Sequence, residues 1–527
     1  MSALGGLGTM TRVQLRTRWR GLVIWVLALV GSLAGTAAAV ASLYDTPAKI
    51  RTYADAVAGG ALYAINGRVE GIDSLGGIIQ DEFGFMAAFL LPLLGIALIA
   101  GSTRREEEAG RLELLLSGTP GRRSPVTAAL LTAAGTILVV TIASTAVLVA
   151  VSVPLSAAVL YAASLGALAV VFAGLSALLA QVTLHARGVY IGGFAAVLAA
   201  YVLRGAGDAA GSWVSWLSPL GWQEKVAPTA GQRWWVLLVP LLVGGGLAVA
   251  AVHLAGRRDL GSALLSPGAG PDRASARLRG PVGFAAWVHR QSLLGWLAGN
   301  LVLAVVMGAL AKQVLDAITG NPAMAQAVGA GGANPVDGYL AMVQVYIALV
   351  AVGYVVQSTG ILRREEAEGR LEARLAGTLS RSRWLSAHVA VILVGLVVNV
   401  AVTSLAFGVA AASSMGDSGQ LGRLVAAGLA YLPAELVFAG LGLALFALVP
   451  RAFGAAWAGV AAVAFIAFLG PGLKLAGWVL DLAPTTHVGN PPLGAVEPRS
   501  LVVLTAVALL LGAVAFAGFR CRAVPAR

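Results

Sequence analysis

Charged residues are scarce in this chain, and their scarcity excludes most soluble folds. Asp, Glu, Lys and Arg make up 11% of the 527 residues, whereas 58% are hydrophobic, and the mean hydropathy is +0.85. A soluble domain carries about 25% charged residues. The composition therefore indicates an integral membrane protein. Its net charge of +12 fits attraction to an anionic inner leaflet, so we expect no nucleic acid partner.

Lysine, cysteine and histidine are rarer still, and each shortage excludes a kind of site. No lysine follows a glycine, so the sequence has no GxxxxGK[ST] loop to hold the phosphates of ATP. The single cysteine, Cys521, permits neither a disulfide framework nor a thiolate metal site. The five histidines lack the close spacing that a zinc site favours. We therefore expect no metal, no cofactor and no P-loop ATP hydrolysis in this chain.

Hydrophobic runs fill most of the sequence, and a helix needs roughly 20 apolar residues to cross a bilayer. The first run follows the basic stretch "TRVQLRTRWR" and so resembles a secretory leader, but it is longer than a usual leader. We predict twelve spans, six on each side of a polar linker, at about 21–43, 85–102, 125–152, 157–183, 189–204, 234–255, 287–311, 339–361, 385–412, 424–449, 452–475 and 499–519.

The basic residues predict the orientation, because Lys and Arg in short loops stay on the cytoplasmic side. With both termini inside, 26 of the 36 basic residues are cytoplasmic. We therefore expect a multi-pass protein of the bacterial inner membrane with both termini in the cytoplasm.

The second half of the chain repeats the first. Residues 104–119 and 363–378 are identical at 11 of 16 positions, and "VFAGL" occurs at 171–175 and again at 437–441. A nearly constant offset means that both halves share one helix order, and six spans in each give them the same orientation. We expect two parallel six-helix repeats, in residues 1–255 and 285–527, joined by a Gly-, Ser-, Pro- and Arg-rich cytoplasmic linker over 256–284.

The best-matched part of the repeat is charged, "TRREEEAGRLELLLSGTP" and "LRREEAEGRLEARLAGTL". Glu107 precedes Arg111 by four residues, as Glu366 precedes Arg370, and such pairs stabilise a helix. Leu112, Leu115 and Leu116 form an apolar stripe, and Gly118 with Pro120 is typical of a helix end. We predict amphipathic helices at about 104–118 and 363–377 on the cytoplasmic face. A simple interfacial helix is the alternative.

These two segments resemble the coupling-helix region of type-2 ABC exporter permeases, most closely the fused twelve-span permeases of actinobacterial antibiotic exporters of the tetronasin-resistance type. The resemblance implies that each helix docks on a P-loop ATPase subunit, which holds the ATP and Mg, and that two helices bind two copies. The residues it places at that contact are Glu106, Glu107, Gly110, Arg111, Leu112, Glu113, Glu365, Glu366, Gly369, Arg370, Leu371 and Glu372. The second copy departs from the pattern, with Ala373 and Arg374 in place of two leucines, so its docking is expected to be weaker or regulatory.

A few polar residues inside the predicted spans raise the question of a substrate path. Gln344 and Gln357 serve either as hydrogen-bonding glue between helices or as lining of that path. Glu435, beside Pro433, is a candidate for ion coupling, although we expect a solvated or locally paired carboxylate there. The external residues 44–82 are expected to contain a small helix that begins near Pro47, with a role that the sequence does not reveal.

The sequence thus predicts the membrane subunit of an ATP-driven exporter, with lipids and a small amphipathic drug or antibiotic as its other partners. The main alternative is an ion-coupled secondary transporter with parallel repeats, which needs charges near the middle of the membrane. A lipid-modifying membrane enzyme is a second alternative, which needs a clustered catalytic site. The expected cargo is an exported drug or antibiotic, or an extruded lipid-like compound.

Overall fold

The chain folds as a set of long helices. The computed structural model describes residues 4–57, 66–116, 121–265, 273, 275–312, 314–315, 335–473 and 476–523. Within these ranges all regular structure is helical, and twelve helices are long and apolar enough to cross a membrane. The predicted all-α fold with about twelve transmembrane helices is confirmed.

The chain divides into two compact units, Met1–Gly270 and Pro271–Arg527. Six of the membrane-spanning helices belong to the first unit: Leu7–Leu43, Leu75–Ser102, Ser124–Ala150, Leu155–Val182, Ala186–Ala209 and Leu238–Ala255. Shorter helices lie between them at Pro47–Val57, Arg104–Glu108, Arg111–Leu116, Trp213–Leu217, Pro219–Lys225 and Trp234–Leu237. The helix Pro47–Val57 occupies the place where the sequence predicted a small external helix.

The second unit has the same number of spans. They are Pro281–Ala309, Pro335–Ala367, Arg381–Met415, a tenth span built from Gly419–Ala430 and Leu432–Leu448, Gly454–Leu473 and Pro498–Cys521. The short helices are Ala276–Arg279, Arg370–Leu375, Pro450–Ala452, Gly477–Leu480 and Pro484–Val488. Pro433 lies in the first turn of the second piece of the tenth span, where proline needs no backbone partner.

Helices are the expected solution because every backbone N–H and C=O in a bilayer core must be satisfied within the protein. The second and fourth spans are the most buried helices of the first unit, and the eighth and tenth are the most buried of the second. The remaining spans present leucine and valine side chains on their outer faces. Each unit therefore places two equivalent helices at its centre.

The repeated "VFAGL" sequence has a packing reason. A Cβ atom on Gly174 would lie 2.3 Å from the Gly244 carbonyl oxygen, and one on Gly440 would lie 3.0 Å from the Ala508 carbonyl oxygen. Small residues let transmembrane backbones approach closely. In each unit this glycine brings the central fourth helix against the last helix of that unit.

Candidate functional site

The charged sequence of the first unit forms two short helices instead of the predicted single helix. They cover Arg104–Glu108 and Arg111–Leu116, and Gly110 between them has φ +68°. A residue in this left-handed backbone conformation ends a helix, and glycine adopts the conformation without steric cost. The predicted helix end at residues 117–120 lies outside the described part of the chain.

The second copy has the same break. The eighth span continues to Ala367, Gly369 has φ +74°, and a new helix covers Arg370–Leu375. We call residues 104–116 and 363–375 the coupling segments. Each has an acidic part that continues from a span and a second part redirected by glycine.

The predicted pairs Glu107–Arg111 and Glu366–Arg370 are wrong, because the glycine break removes the continuous helix that a spacing of four requires. Arg111 instead binds Glu106 through Nε and Nη2, at 2.7 and 2.9 Å. Arg370 binds Glu365 at 2.8 Å. In both copies the arginine thus pairs with the first glutamate, five residues earlier.

The second glutamate of the first segment is buried in ion pairs. Glu107 accepts two hydrogen bonds from Arg258, at 2.9 and 3.0 Å, and one from the Gly261 backbone N–H at 2.8 Å. Arg104 lies 3.1 Å from the same carboxylate. The Glu107 side chain is 8% exposed and that of Arg258 is 9% exposed. Residues just after the sixth span are therefore fixed on the coupling segment.

The second glutamate of the second segment is bound in the same way. Glu366 accepts two hydrogen bonds from Arg522, at 2.8 and 2.7 Å. The two side chains are 10% and 19% exposed. Arg522 follows directly after the twelfth span, which ends at Cys521, and its guanidinium lies over the ring of Phe446.

The leucines of the first segment divide between interior and surface. Leu112 is buried against Met10 and Ala128, whereas Leu114 is 77% exposed and Leu115 is 37% exposed. The apolar stripe predicted for Leu112, Leu115 and Leu116 lies on one short helix, which buries Leu112 and leaves Leu115 at the surface. This surface borders a cavity of about 640 Å³ that Arg18, Arg105 and Leu112 also line.

The second segment presents a different surface. Leu371 is fully buried, and Arg374, which replaces Leu115, folds inward over the ring of Phe284 at 3.5 Å. Burial lowers the pKa of Arg374, whereas the hydrogen bonds that Arg111 donates to Glu106 raise the pKa of Arg111. Both guanidinium groups stay charged at neutral pH.

The predicted contact residues therefore fall into four groups. Glu107, Glu366, Leu112 and Leu371 are largely inside the protein, and Gly110 and Gly369 shape the turn. Glu106 and Glu365 bind the arginines. The side chains of Arg111 and Glu113 are exposed beside Leu114 in the first segment, and those of Arg370 and Glu372 are exposed in the second.

The three residues predicted for a substrate path are not gathered in one place. Gln344 is buried and donates to the Leu424 carbonyl at 2.6 Å, as expected for glue between helices. Gln357 lines a cavity of about 350 Å³ with Arg363 and Trp457. Glu435 is fully buried, and neither carboxylate oxygen has a hydrogen-bond partner among the described residues. The expectation of a solvated or paired carboxylate is wrong, since the tenth span turns Glu435 into the helix packing.

Sequence reasoning missed a histidine pair in the second unit. His289 Nε2 lies 2.9 Å from His388 Nδ1, and both side chains are buried. The two residues are 99 positions apart on different spans, so no local spacing signals the pair. Among the described residues, no three His, Cys, Asp or Glu side chains are placed to hold a metal ion.

Comparisons with known proteins agree over nearly the whole chain. The family described as the C-terminal domain of the multidrug efflux system permease Rv1217c matches residues 278–520. The chain is also similar to the multidrug efflux system permease protein Rv1217c of Mycobacterium tuberculosis. The two are 34% identical over 523 residues, which cover 97% of this chain and 94% of the relative.

Proposed function

We propose a mechanism of ATP-driven export from one premise: the chain belongs to the family of multidrug efflux system permeases that includes Rv1217c. The resemblance to ABC exporter permeases is thereby confirmed, and the chain is a multi-pass membrane permease. The proposal concerns its energy source, orientation and cargo.

The energy comes from a separate P-loop ATPase. This chain lacks a phosphate-binding loop, and a permease without one needs a partner to hydrolyse ATP. Two coupling segments bind two ATPase copies, which hold the ATP and Mg. The excess of arginine around both segments supports a cytoplasmic position for them and for both termini.

The observation that carries the proposal is the exposed end of the first coupling segment. Leu114 is 77% exposed beside the exposed Arg111 and Glu113, outside the spans. Leu115 beside it is also exposed, and an apolar patch bordered by polar residues is a feature of protein interaction sites. The second segment offers Ala373 and Glu372 at these positions, so its contact is less apolar and weaker.

The cargo is a small amphipathic compound, such as a drug or antibiotic, as the name of the relative suggests for that protein. ATP binding draws the two ATPase copies together and pushes the coupling segments. The two parallel six-helix repeats then alternate between inward-open and outward-open states, a known class of rigid-body transition.

The test is reconstitution of the chain in lipid with a P-loop ATPase encoded beside it. We expect two ATPase copies per chain and transport that requires ATP. The substitution Leu114→Asp should weaken ATPase binding about tenfold or more, since burying a leucine contributes about 1.5–3 kcal/mol. Leu217→Asp is the matched control, because Leu217 is also exposed but lies beyond the opposite end of the spans.

Two outcomes would contradict the proposal. ATPase binding that is unaffected by Leu114→Asp would mean that the segment is only an interfacial helix. Transport driven by an ion gradient without ATP would instead support the secondary transporter.

A further inference from the structure

The same kind of ion pair occurs once in each unit. Glu107 and Glu366 are equivalent positions of the repeat, and each carboxylate binds one guanidinium through two hydrogen bonds. Arg258 and Arg522 both lie within three residues after the last span of their unit. The structure thus joins each coupling segment to the final helix of its own unit.

Stability alone is a weak reason for these pairs. The free-energy cost of removing two charges from water is about as large as their electrostatic attraction. Apolar residues of similar size are often as stable at such positions. The pairs are nevertheless buried in both units, with side chains that are 8–19% exposed. Their burial also removes both glutamates from the surface that an ATPase can reach.

Each pair begins a continuous set of contacts toward the centre of its unit. Arg258 follows the sixth span, and that span meets the central fourth span where Gly174 contacts Gly244. Arg522 follows the twelfth span, which meets the tenth where Gly440 contacts Ala508 and Leu511. A displacement of the coupling segment therefore has a direct route into the most buried helices.

We infer that Arg258 and Arg522 are positioning residues that transmit motion of the coupling segments to the sixth and twelfth spans. The inference rests on the proposed function, since it assigns a route to a push that the ATPase supplies. In this inference the coupling segments have two separate parts. The surface around Leu114 docks the ATPase, and the buried Glu107 and Glu366 transmit the motion.

The test uses the full chain in lipid nanodiscs and follows backbone hydrogen exchange. In the chain alone, Arg522→Ala should raise exchange in residues 363–375 about tenfold or more, because a bidentate charged contact is lost. Arg520→Ala is the matched control, since Arg520 is exposed two residues away. The charge exchange Glu366→Arg with Arg522→Glu should restore protection. No difference between Arg522→Ala and Arg520→Ala would overturn the inference.

The second measurement adds the ATPase with a non-hydrolysable ATP analogue. In the unmodified chain, exchange should change both in residues 363–375 and at the end of the twelfth span. Arg522→Ala should still bind the ATPase and should still show the change in residues 363–375. The change at the end of the twelfth span should be lost. An unaltered response of the twelfth span would overturn the inference, and so would loss of ATPase binding, because Arg522 would then belong to the docking surface.

The two proposals fail in distinguishable ways. If the unmodified chain binds no ATPase, the proposed function fails, and the transmission role fails with it. The exchange measurement on the chain alone then still shows whether Arg522 holds the coupling segment. In the first unit Arg258→Lys keeps the charge but removes the paired geometry. Hydrogen exchange in residues 104–116 should therefore rise, but by less than exchange in residues 363–375 rises in Arg522→Ala. The exposed Arg257→Ala is the control.

Discussion

Glu435 is an acidic residue inside the helix packing. Its side chain is fully buried on the tenth span, and within the described part of the chain both carboxylate oxygens lack a hydrogen-bond partner. A buried polar group without a partner costs about 1–3 kcal/mol.

We therefore expect Glu435→Met, which keeps a similar volume, to stabilise the protein by about 1–3 kcal/mol. Thermal unfolding in detergent measures the change. ATP-driven transport should persist, because the proposed mechanism passes no ion through this site. Glu497→Met at an exposed position is the control and should change stability by less than about 0.5 kcal/mol. Loss of transport in Glu435→Met would favour the ion-coupled alternative.

For single residues, the sequence identifies the charged residues of the coupling segments, but it does not predict their ion-pair partners. The two glutamates and the arginine of each coupling segment stand out because the charged stretch repeats in an apolar chain. Their pairing follows from the glycine turn at Gly110 and from Arg258, which is 151 residues beyond Glu107. A contact over such a distance depends on the helix packing, which a spacing pattern does not contain.

In both units, neighbouring helices approach each other closely at a glycine. Gly174 and Gly440 each face the last span of their unit at distances that exclude a Cβ atom, whereas a Cβ atom on Gly245 would meet nothing within 4 Å. We expect Gly174→Ala to destabilise the protein by about 1–3 kcal/mol, since backbone atoms must shift.

Gly440→Ala should have a smaller effect, because its nearest atom, the Leu511 Cβ, is 2.8 Å away, whereas the nearest atom at Gly174 is 2.3 Å away. Gly245→Ala should be neutral or stabilising by up to about 1 kcal/mol, since alanine favours helices. Thermal unfolding of the three variants gives this order. Equal effects at Gly174 and Gly245 would show that the two spans do not pack through Gly174.

The spans themselves could be predicted because each needs a long apolar run, and that requirement is local. Their ends were less predictable. The first helix begins at Leu7 instead of near residue 21, because the basic stretch before the apolar run continues the helix. The turns at Gly110 and Gly369 were missed, since a glycine within a helical pattern marks a break only when its φ is positive.

For the whole molecule, the orientation in the membrane is the property that the charge distribution predicts most directly. Cys521 is exposed at the end of the last span and is the only cysteine in the sequence. We expect a membrane-impermeant maleimide to leave it unmodified in intact cells and to modify it in inverted vesicles. Labelling of intact cells would place this terminus outside.

The opposite side can be tested in the same chain. Asp55 is exposed on the helix Pro47–Val57. With Cys521→Ala as background, Asp55→Cys should be modified in intact cells and protected in inverted vesicles. The background variant alone should not react.

The buried glutamates also have a meaning for biosynthesis. Glu107 precedes Arg258 by 151 residues, and Glu366 precedes Arg522 by 156. At about 5–20 residues per second, the first carboxylate waits roughly 8–30 s for its arginine, while four further spans are synthesised. Until then the carboxylate lacks its bidentate partner and has only Arg104, three residues earlier, beside it, so it stays accessible to proteases and chaperones. Closure of the first pair thus marks the moment at which all six helices of that unit have been inserted.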